Sequence, residues 1–197
     1  MSENKLTFKT MASDDLYNDL YKQLWNQRIL YLNGEIDEST IDYICTPILI
    51  KNIEEKDISE DQLKPITIWV NSYGGSADVG LYMINLIQNS RIPIHAKVLC
   101  VAASAALYLT ISCKYRTASE NSILLLHKGS YSVGGNANEV EDVMEFYKGE
   151  VDSKIVELIL NKTKVTKDEL KKIRRNETYM LGKKALEMGF IDEIVNN

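Results

Sequence analysis

Three apolar runs follow one another in the middle of the chain, and each ends in residues that can do chemistry. The run from Ile66 to Val70 leads to Gly74-Gly75, the run from Ile94 to Val101 leads to Ser104, and the third ends on His127. Short apolar runs bounded by turn residues are typical of buried strands. Ligands of open α/β sheets bind at the carboxyl ends of the strands. The pattern therefore predicts that the glycine pair, the serine and the histidine share one edge of a sheet.

Helical spacing separates these strands. Apolar residues recur at helical intervals from Ser76 to Gln88, and an alanine-rich helix is predicted from Ala103 to Ser112. Strands that alternate with short helices imply right-handed parallel crossovers. The predicted fold class is α/β, a spiral of ββα units around a parallel sheet, in one domain at residues 16–197. The polar residues 1–15 are expected to form a flexible N-terminal segment.

The longest helix is predicted over about residues 139–161, directly after Asn138. Its apolar positions drift around the helix instead of keeping to one face. A helix that buries several faces in a small domain often packs against another subunit. We therefore expect the chain to form a homo-oligomer.

The candidate chemistry is that of a hydrolase with a serine nucleophile. Gly74-Gly75 lets the backbone approach a ligand and direct N–H groups at one oxygen. Ser104 stands where a helix dipole favours developing negative charge, and His127 is the candidate base for it. Each residue also has a purely structural interpretation, as a turn, a small buried serine and a strand-end histidine. Their joint placement at strand ends favours the functional one.

A glycine-rich polar stretch follows the histidine, from Gly129 to Asn138. An extended segment with an open backbone edge can pair with a peptide through main-chain hydrogen bonds. Gly129 and Gly134 are therefore candidate substrate-binding residues, together with Gly74. A flexible surface hairpin is the alternative interpretation.

Composition narrows the function classes. The chain has 197 residues and a net charge of −5 without a basic stripe, which argues against nucleic acid as the main partner. No run approaches the ~18 apolar residues of a membrane span. Residues 1–5 lack the apolar core of a signal peptide. The three cysteines lack metal spacing and are interpreted as reduced, mostly buried thiols of a cytoplasmic protein, and no cofactor or metal site is indicated.

Four motifs, taken together in order and spacing, resemble the ClpP family, the serine-peptidase subunit of the Clp protease. They are Asn71-Ser72-x-Gly74-Gly75-Ser76, Ala102-Ala103-Ser104, Leu126-His127 and Ala185-Leu186-Glu187-x-Gly189-Phe190-Ile191-Asp192. The resemblance covers residues 16–195. It implies a ClpP/crotonase-type spiral in which the long helix is a protruding handle that joins two rings of seven subunits.

The resemblance also implies roles for individual residues and a partner. Ser104 becomes the nucleophile and His127 the general base, and the backbone N–H groups of Gly75 and Ala105 form the oxyanion hole. Ala105 stands where the family usually has methionine, but a backbone donor does not depend on the side chain. The implied partner is an AAA+ unfoldase ATPase that feeds polypeptides to the barrel. The chain itself has no Gly-x-x-x-x-Gly-Lys-Ser/Thr motif for ATP.

The third member of a catalytic triad is where the chain departs most from the family pattern. Glu177 stands where the family has an aspartate, two residues before an aromatic. A glutamate can orient an imidazole, but its extra methylene requires a shifted backbone or rotamer. Asn176 is the alternative contact for His127, and a neutral amide favours the wrong tautomer.

Other departures surround the predicted site. Cys100 and Ala106 stand where the family commonly has glycine near the serine, and Tyr73 replaces a proline in the glycine turn. Lys128-Gly129 replaces a glutamine-proline pair after the histidine. Arg175-Asn176 stands where many members have an Asp-Arg pair that links the rings. These changes predict a divergent member whose activity is reduced or depends on a partner.

Three functions follow from these observations. The first is a serine endopeptidase subunit of a barrel-shaped ATP-dependent Clp-type protease that degrades unfolded polypeptides to short peptides. The second is a weakly active or inactive regulatory ring subunit that assembles with an active paralogue. The third is a crotonase-type acyl-CoA enzyme. That chemistry does not need a serine and a histidine at positions 104 and 127, so their joint presence argues against it.

Overall fold

The computed structural model describes residues 14–129 and 134–195, and within these ranges the chain forms one seven-stranded sheet surrounded by helices. The strands are β1 (Ile29–Ile36), β2 (Ile66–Gly75), β3 (Ile94–Ala103), β4 (Tyr115–Ala118), β5 (Ile123–Leu126), β6 (Thr178–Leu181) and β7 (Glu193–Ile194). The α-helices are α1 (Asp14–Asn26), α2 (Glu38–Thr40), α3 (Thr46–Glu54), α4 (Ala77–Asn89), α5 (Ala105–Ser112), α6 (Ala137–Phe146), α7 (Asp152–Lys162), α8 (Lys167–Ile173) and α9 (Gly182–Met188). Two π-helical turns span Ile41–Cys45 and Tyr147–Val151, and a 3-10 turn spans Glu60–Gln62. The segment expected to be flexible, residues 1–15, lies outside the described residues except for the first two residues of α1.

The sheet follows the parallel order β1-β2-β3-β4-β7, and β5 adds to β3. Residues 95–98 of β3 pair with β4, and residues 101–103 pair with β5, also in parallel. The carboxyl ends of β3 and β5 therefore lie side by side, and these ends lead to Ser104 and His127. The predicted α/β fold with parallel crossovers is confirmed.

Strand β6 is the antiparallel exception. It pairs with β5 in a register that sets Leu126 opposite Thr178. The chain leaves the sheet after β5 and returns at the same end, so the returning strand must run the other way. The sequence pattern predicted a parallel sheet without this exception.

Helix α5 lies at the centre of the core. All eight of its residues are buried, and it packs against β2, β3, α4 and α7. A helix that is covered on every side has no polar face, which is why this stretch is rich in alanine and other apolar residues. The core therefore fixes the helix at whose N-terminus Ser104 stands.

The long helix runs through residues 137–162 as α6, a π-helical turn and α7. Its position agrees with the range predicted from the sequence, but its N-cap is Asn136 and not Asn138. The side-chain oxygen of Asn136 accepts the N–H of Glu139 at 3.1 Å, and the Glu139 carboxylate accepts the N–H of Asn136 at 3.1 Å. This capping box satisfies two backbone N–H donors at once, so the helix starts at Ala137, earlier than the sequence predicts. Among the described helices, none is long and apolar enough to cross a membrane.

Candidate active site

Ser104 joins β3 to α5 in a strained backbone conformation. Its φ is 53° and its ψ is −125°, and it is one of two non-glycine residues with positive φ in the described part of the chain. Such a conformation costs ~1–3 kcal/mol and persists only where the surroundings impose it. The N–H of Ser104 donates to the carbonyl of Leu125 on β5 at 3.2 Å, which ties this turn to the neighbouring strand. A sharp strand-to-helix turn of this kind presents a serine hydroxyl at the edge of a sheet.

Gly74 and Gly75 pack against Ser104 and β1 so closely that neither position has room for a side chain. Gly74 has a φ of +92°, and a Cβ there would lie 2.8 Å from both the carbonyl oxygen of Ala103 and the Cβ of Ser104. Gly75 has a φ of +154°, and a Cβ there would lie 2.2 Å from the carbonyl oxygen of Ile36. The backbone of Gly74 thus reaches the serine and that of Gly75 lies against β1. A close approach of backbone to the serine is what an oxyanion hole requires.

One cavity of about 100 Å³ brings several predicted residues together. Gly75, Ser104, Ala105 and Gly129 all contribute to its wall. Ala105 is the first residue of α5, so its N–H has no carbonyl partner within the helix. The N-terminal end of the helix dipole also favours negative charge at this point. The arrangement can hold an acyl group at Ser104 with backbone donors beside it.

The backbone of His127 lies near that of Ser104, because the ends of β3 and β5 are adjacent. It follows Leu126 at the end of β5, and its carbonyl oxygen accepts the hydroxyl of Tyr108 from α5 at 2.9 Å. The ring Nδ1 lies 2.8 Å from the carbonyl oxygen of Lys128. Because that oxygen can only accept, Nδ1 carries the proton in the neutral ring and Nε2 is left as the acceptor. This is the tautomer that a general base for a serine needs.

Glu177 lies opposite His127 in the backbone register but does not contact the histidine ring. The pairing of Leu126 with Thr178 places the next pair, His127 and Glu177, across from each other. The Glu177 carboxylate is exposed and accepts the hydroxyl of Tyr179 at 2.9 Å. That hydrogen bond raises the pKa of the Tyr179 hydroxyl, because losing the proton would place two negative charges side by side.

The three predicted catalytic side chains are therefore close in the fold without being joined. Within residues 14–129 and 134–195, no hydrogen bond links the Ser104 hydroxyl to the His127 ring, or the ring to Glu177 or Asn176. His127 Nδ1 donates its proton to the carbonyl oxygen of Lys128, whereas in a triad it would donate to a carboxylate. The predicted triad needs two new contacts, from His127 Nδ1 to Glu177 and from the Ser104 hydroxyl to Nε2.

The predicted peptide-binding glycines have different surroundings. Gly129 lies in the cavity wall near Ser104, whereas Gly134 is exposed and no atom would lie within 4 Å of a Cβ there. The stretch that joins them, residues 130–133, lies outside the described residues. The prediction that this segment pairs with a peptide remains a prediction.

Two features of the site were not found from the sequence. The hydroxyl of Tyr108 holds the backbone of His127, and an ion pair between Asp152 and Arg174 lines the same cavity as Ser104. The position of Tyr108, four residues after Ser104 on one helix, was the available signal for the first. The second had no local signal, because 22 residues separate the two charges in the chain.

The described cysteines and acidic residues form no metal-binding cluster. Among the described residues, no three His, Cys, Asp or Glu side chains cluster in a way that could hold a metal ion. Cys45 and Cys113 are buried, and burial raises the pKa of these thiols to about 11 and about 12, so both stay protonated at neutral pH. Cys100 is exposed.

Comparison with known sequences decides the family. The sequence profile described as Clp protease matches residues 12–197. The chain belongs to the Clp protease family. One relative is the ATP-dependent Clp protease proteolytic subunit 2 of Rhodococcus jostii (strain RHA1), 24% identical over 187 residues, which are 94% of this chain and 92% of the relative. Another is the ATP-dependent Clp protease proteolytic subunit of Mesostigma viride, 27% identical over 184 residues, which are 92% of this chain and 77% of the relative.

Membership in the Clp protease family makes this chain a peptidase subunit and a divergent one, since its identity to these relatives is 24% to 27%. The match includes every described strand and the whole candidate site. It decides against the acyl-CoA enzyme that the spiral fold and the backbone donors had left open.

Proposed function

We propose that this Clp protease family member is a serine endopeptidase in which Ser104 attacks the peptide carbonyl. The observation that carries the proposal is the strained conformation of Ser104, with a φ of 53° at the entrance of α5 and beside a cavity that Gly75 and Ala105 also line. A folded chain keeps such a strain where it serves a function or where packing imposes it. We infer that it serves here to present the hydroxyl to the cavity, beside the backbone N–H groups of Gly75 and Ala105.

The proposed reaction begins when His127 Nε2 takes the proton of the Ser104 hydroxyl. The Ser104 oxygen bonds to the substrate carbonyl carbon, and the N–H groups of Gly75 and Ala105 donate to the resulting oxyanion. The C–N bond then breaks, and Nε2 gives its proton to the leaving amine. A water molecule then attacks the acyl–Ser104 ester, with His127 Nε2 again as the base, and the second product is released. One oxyanion donor typically contributes ~3 kcal/mol to this stabilisation.

The substrate backbone has a proposed place beside this centre. The backbone of Gly74 lies directly beside Ser104, where the substrate main chain is proposed to bind. Gly129 and Gly134 flank the segment proposed to pair with an extended peptide. An unfolded polypeptide offers the free main-chain groups that such pairing needs, whereas a folded protein has already used them. The proposed substrates are therefore unfolded polypeptides, cut to short peptides.

Activation is proposed to exchange two contacts. His127 must turn so that Nε2 reaches the Ser104 hydroxyl, and the carboxylate of Glu177 must pass from Tyr179 to His127 Nδ1. Both contacts are single hydrogen bonds, at 2.8 Å and 2.9 Å, so neither holds the groups apart strongly. A partner ring or a bound unfoldase is proposed to favour the exchange. Without it, the chain behaves as the weakly active ring subunit described above.

Assembly is proposed to use the long helix. Val143 and Phe146 on α6 keep 37% and 55% of their surface exposed, although both are apolar. Burial of these side chains against another copy, or against a paralogue, would remove apolar surface from water. We propose two stacked rings of seven, a tetradecamer, fed by an AAA+ unfoldase in the cytoplasm.

The experiment that tests the proposal is labelling of the purified full-length chain with a fluorophosphonate probe. Labelling is expected on Ser104, and Ser104→Ala is expected to abolish it. His127→Ala should slow the reaction by at least ~100-fold, because the base is lost. Labelling that survives Ser104→Ala would show that another nucleophile reacts. Absence of labelling, alone and with an active paralogue, would favour the inactive ring subunit.

Light scattering tests the assembly separately. The particle is expected to be many times larger than one chain of 22.4 kDa. Phe146→Glu should break the particle, since the side chain is exposed in the subunit and its loss does not disturb the core. A wild-type monomer at micromolar concentration would refute the assembly.

A further inference from the structure

The first turn of α4 connects the two backbone donors of the proposed oxyanion hole. The helix begins at Ala77, two residues after Gly75, and it packs against α5, whose first residue is Ala105. This packing is close, since a Cβ at Gly80 would lie 3.0 Å from the Cβ of Ala105. A shift of the first turn of α4 would therefore move the N–H of Gly75 relative to that of Ala105.

The side-chain cap of this turn is weak. The hydroxyl oxygen of Ser76, the N-cap residue, accepts the N–H of Val79 at 3.4 Å, which is longer than the ~2.7–3.2 Å of an ordinary N–H···O bond. The N–H of Ser76 donates to the carbonyl oxygen of Ile36 on β1 at 2.7 Å. Strand β1 therefore fixes the residue before the helix, whereas the side-chain cap contributes little at the helix itself.

A side chain from the long helix contacts the same turn. The hydroxyl of Tyr147 donates to the carboxylate of Asp78, the second residue of α4. The two residues are 69 positions apart in the chain, so this is a tertiary contact. Hydrogen bonds to a charged acceptor are roughly twice as strong as neutral ones. The bond therefore ties the start of α4 to a separate element of the fold.

Tyr147 makes this contact from an anchored position. It is the first residue of the π-helical turn, and Val151 at the other end of that turn is buried. The ring of Phe146 packs edge-on against the ring of Tyr147, with the two centroids 5.6 Å apart. π-helical turns inside longer helices frequently occur at functional sites. The Tyr147 hydroxyl thus reaches Asp78 from a backbone that a buried side chain holds.

We infer that Tyr147 is a positioning residue of the oxyanion hole, which acts through Asp78 on the first turn of α4 and so on the N–H of Gly75. This inference rests on the proposed function. With the bond in place, Gly75 and Ala105 donate to the same oxygen. Without it, the turn relies on its weak cap and on β1, and the Gly75 donor loses its alignment. Removal of a whole donor slows such reactions ~100–1000-fold, so a misaligned donor should cost about tenfold.

The test compares two acetylated trileucine peptides, one that ends in an aldehyde and one that ends in the matching alcohol. The Ser104 oxygen bonds to the aldehyde carbon, its proton passes to His127 Nε2, and the electrons of the carbonyl π bond form an oxyanion in the hole. The alcohol binds without this step. Tyr147→Phe and Asp78→Ala should each weaken aldehyde binding about tenfold and leave alcohol binding within about twofold of wild type.

Further variants separate the hydrogen bond from other effects. Asp78→Asn removes the charge but keeps an oxygen that can accept the Tyr147 hydroxyl, so aldehyde binding should stay within about threefold of wild type. The double variant Tyr147→Phe with Asp78→Ala should bind the aldehyde as weakly as either single variant, because both remove one interaction. Tyr115→Phe is the matched control, since it removes a tyrosine hydroxyl that contacts the exposed carboxylate of Glu193. It should bind both peptides like wild type.

Light scattering checks the particle of each variant, because Tyr147 contacts Phe146 on the proposed assembly surface. If Tyr147→Phe alters the particle, Asp78→Ala removes the same bond from α4 and decides the matter. The inference is wrong if Asp78→Ala binds the aldehyde like wild type, or if it weakens both peptides equally. The proposed function then still stands, provided that the fluorophosphonate labels Ser104. If wild type neither reacts with that probe nor prefers the aldehyde, both are overturned.

Discussion

The hydroxyl of Tyr108 donates to the carbonyl oxygen of His127 at 2.9 Å, and Tyr108 follows Ser104 by one turn of α5. The helix that carries the proposed nucleophile thus also holds the backbone of the proposed base. Tyr108 is therefore a positioning residue that acts through His127.

Tyr108→Phe is expected to slow the chemical step without weakening probe binding. The loss of one hydrogen bond corresponds to about 1 kcal/mol, or about fivefold in rate. Inactivation by the fluorophosphonate should show a lower maximal rate and an unchanged half-saturation concentration. Tyr115→Phe is the control, because it removes a hydroxyl that contacts Glu193. Equal maximal rates in wild type and Tyr108→Phe would contradict the role.

The strain at Ser104 has a consequence for stability. Ser104→Gly should be more stable than Ser104→Ala by about 1 kcal/mol, because glycine adopts a φ of 53° at little cost and alanine does not. Neither variant should react with the probe. Urea unfolding at one protein concentration measures the difference. An alanine variant at least as stable as the glycine variant would mean that the turn is not strained.

Tyr179 is expected to restrain Glu177. Tyr179→Phe frees the carboxylate from its hydrogen bond at 2.9 Å and should raise the labelling rate by about threefold. Glu177→Gln should lower the rate in both the wild-type and the Tyr179→Phe backgrounds, whereas Glu177→Asp should retain it, because the shorter acid restores the commoner geometry. If Glu177→Gln changes neither rate, the Lys128 carbonyl is sufficient to orient His127 and the triad assignment is wrong.

Asp192 makes stability depend on pH. Burial by itself would raise the pKa of Asp192, but the hydrogen bonds and charge of Arg116 outweigh it and hold the pKa below the ordinary value of 3.8. A lowered pKa in the folded state contributes stability above the unfolded-state pKa, and this is lost as the pH falls through the folded-state value.

Asp192→Asn should therefore lower the free energy of unfolding at pH 7 by about 1 kcal/mol, with allowance for partial solvent exposure. The difference from wild type should shrink as the pH falls below 3.8. Urea unfolding over a pH series measures it. Glu157→Gln, which removes an exposed contact to Lys154 at 3.5 Å, is the control and should show almost no effect. A difference that stays constant down to the acid limit would refute the assignment.

Two of the three glycines proposed to contact substrate, Gly74 and Gly134, should differ sharply in their tolerance of a side chain. Gly74→Ala places a Cβ 2.8 Å from the Ala103 carbonyl oxygen at a φ of +92° and should destabilise the fold by about 3 kcal/mol. Gly134→Ala meets open space and should change stability by less than ~0.5 kcal/mol. Thermal unfolding of both variants checks this. Equal stabilities would mean that the close approach of Gly74 to Ser104 is absent in solution.

Local sequence patterns predicted the elements that depend on neighbouring residues. The strands that start at Ile66 and Ile94 and the helix over Ala77–Asn89 occur where the sequence placed them. Each depends on the alternation of side chains or on a spacing of three residues, which the chain displays directly. The shared edge of Ser104 and His127 followed from strand order in the same way.

Contacts between distant segments could not be predicted in this way. The antiparallel register of β5 with β6 sets Glu177 opposite His127, and no periodicity near either residue encodes it. The choice of Glu177 between Tyr179 and His127 is a side-chain preference of about one hydrogen bond, too small to appear in a sequence pattern.

The π-helical turn at Tyr147–Val151 changes the residue spacing of the long helix. A π-helical turn holds one residue more than an α-helical turn, so an apolar pattern that crosses it slips by one position along the chain. The apolar residues of α6 and α7 therefore do not follow one 3.6-residue period, although α6, the turn and α7 form one continuous helix. Deletion of Gly149 would remove the extra residue and leave the faces of both halves where they are, so a one-residue deletion in this turn should be tolerated better than one within α6 or α7.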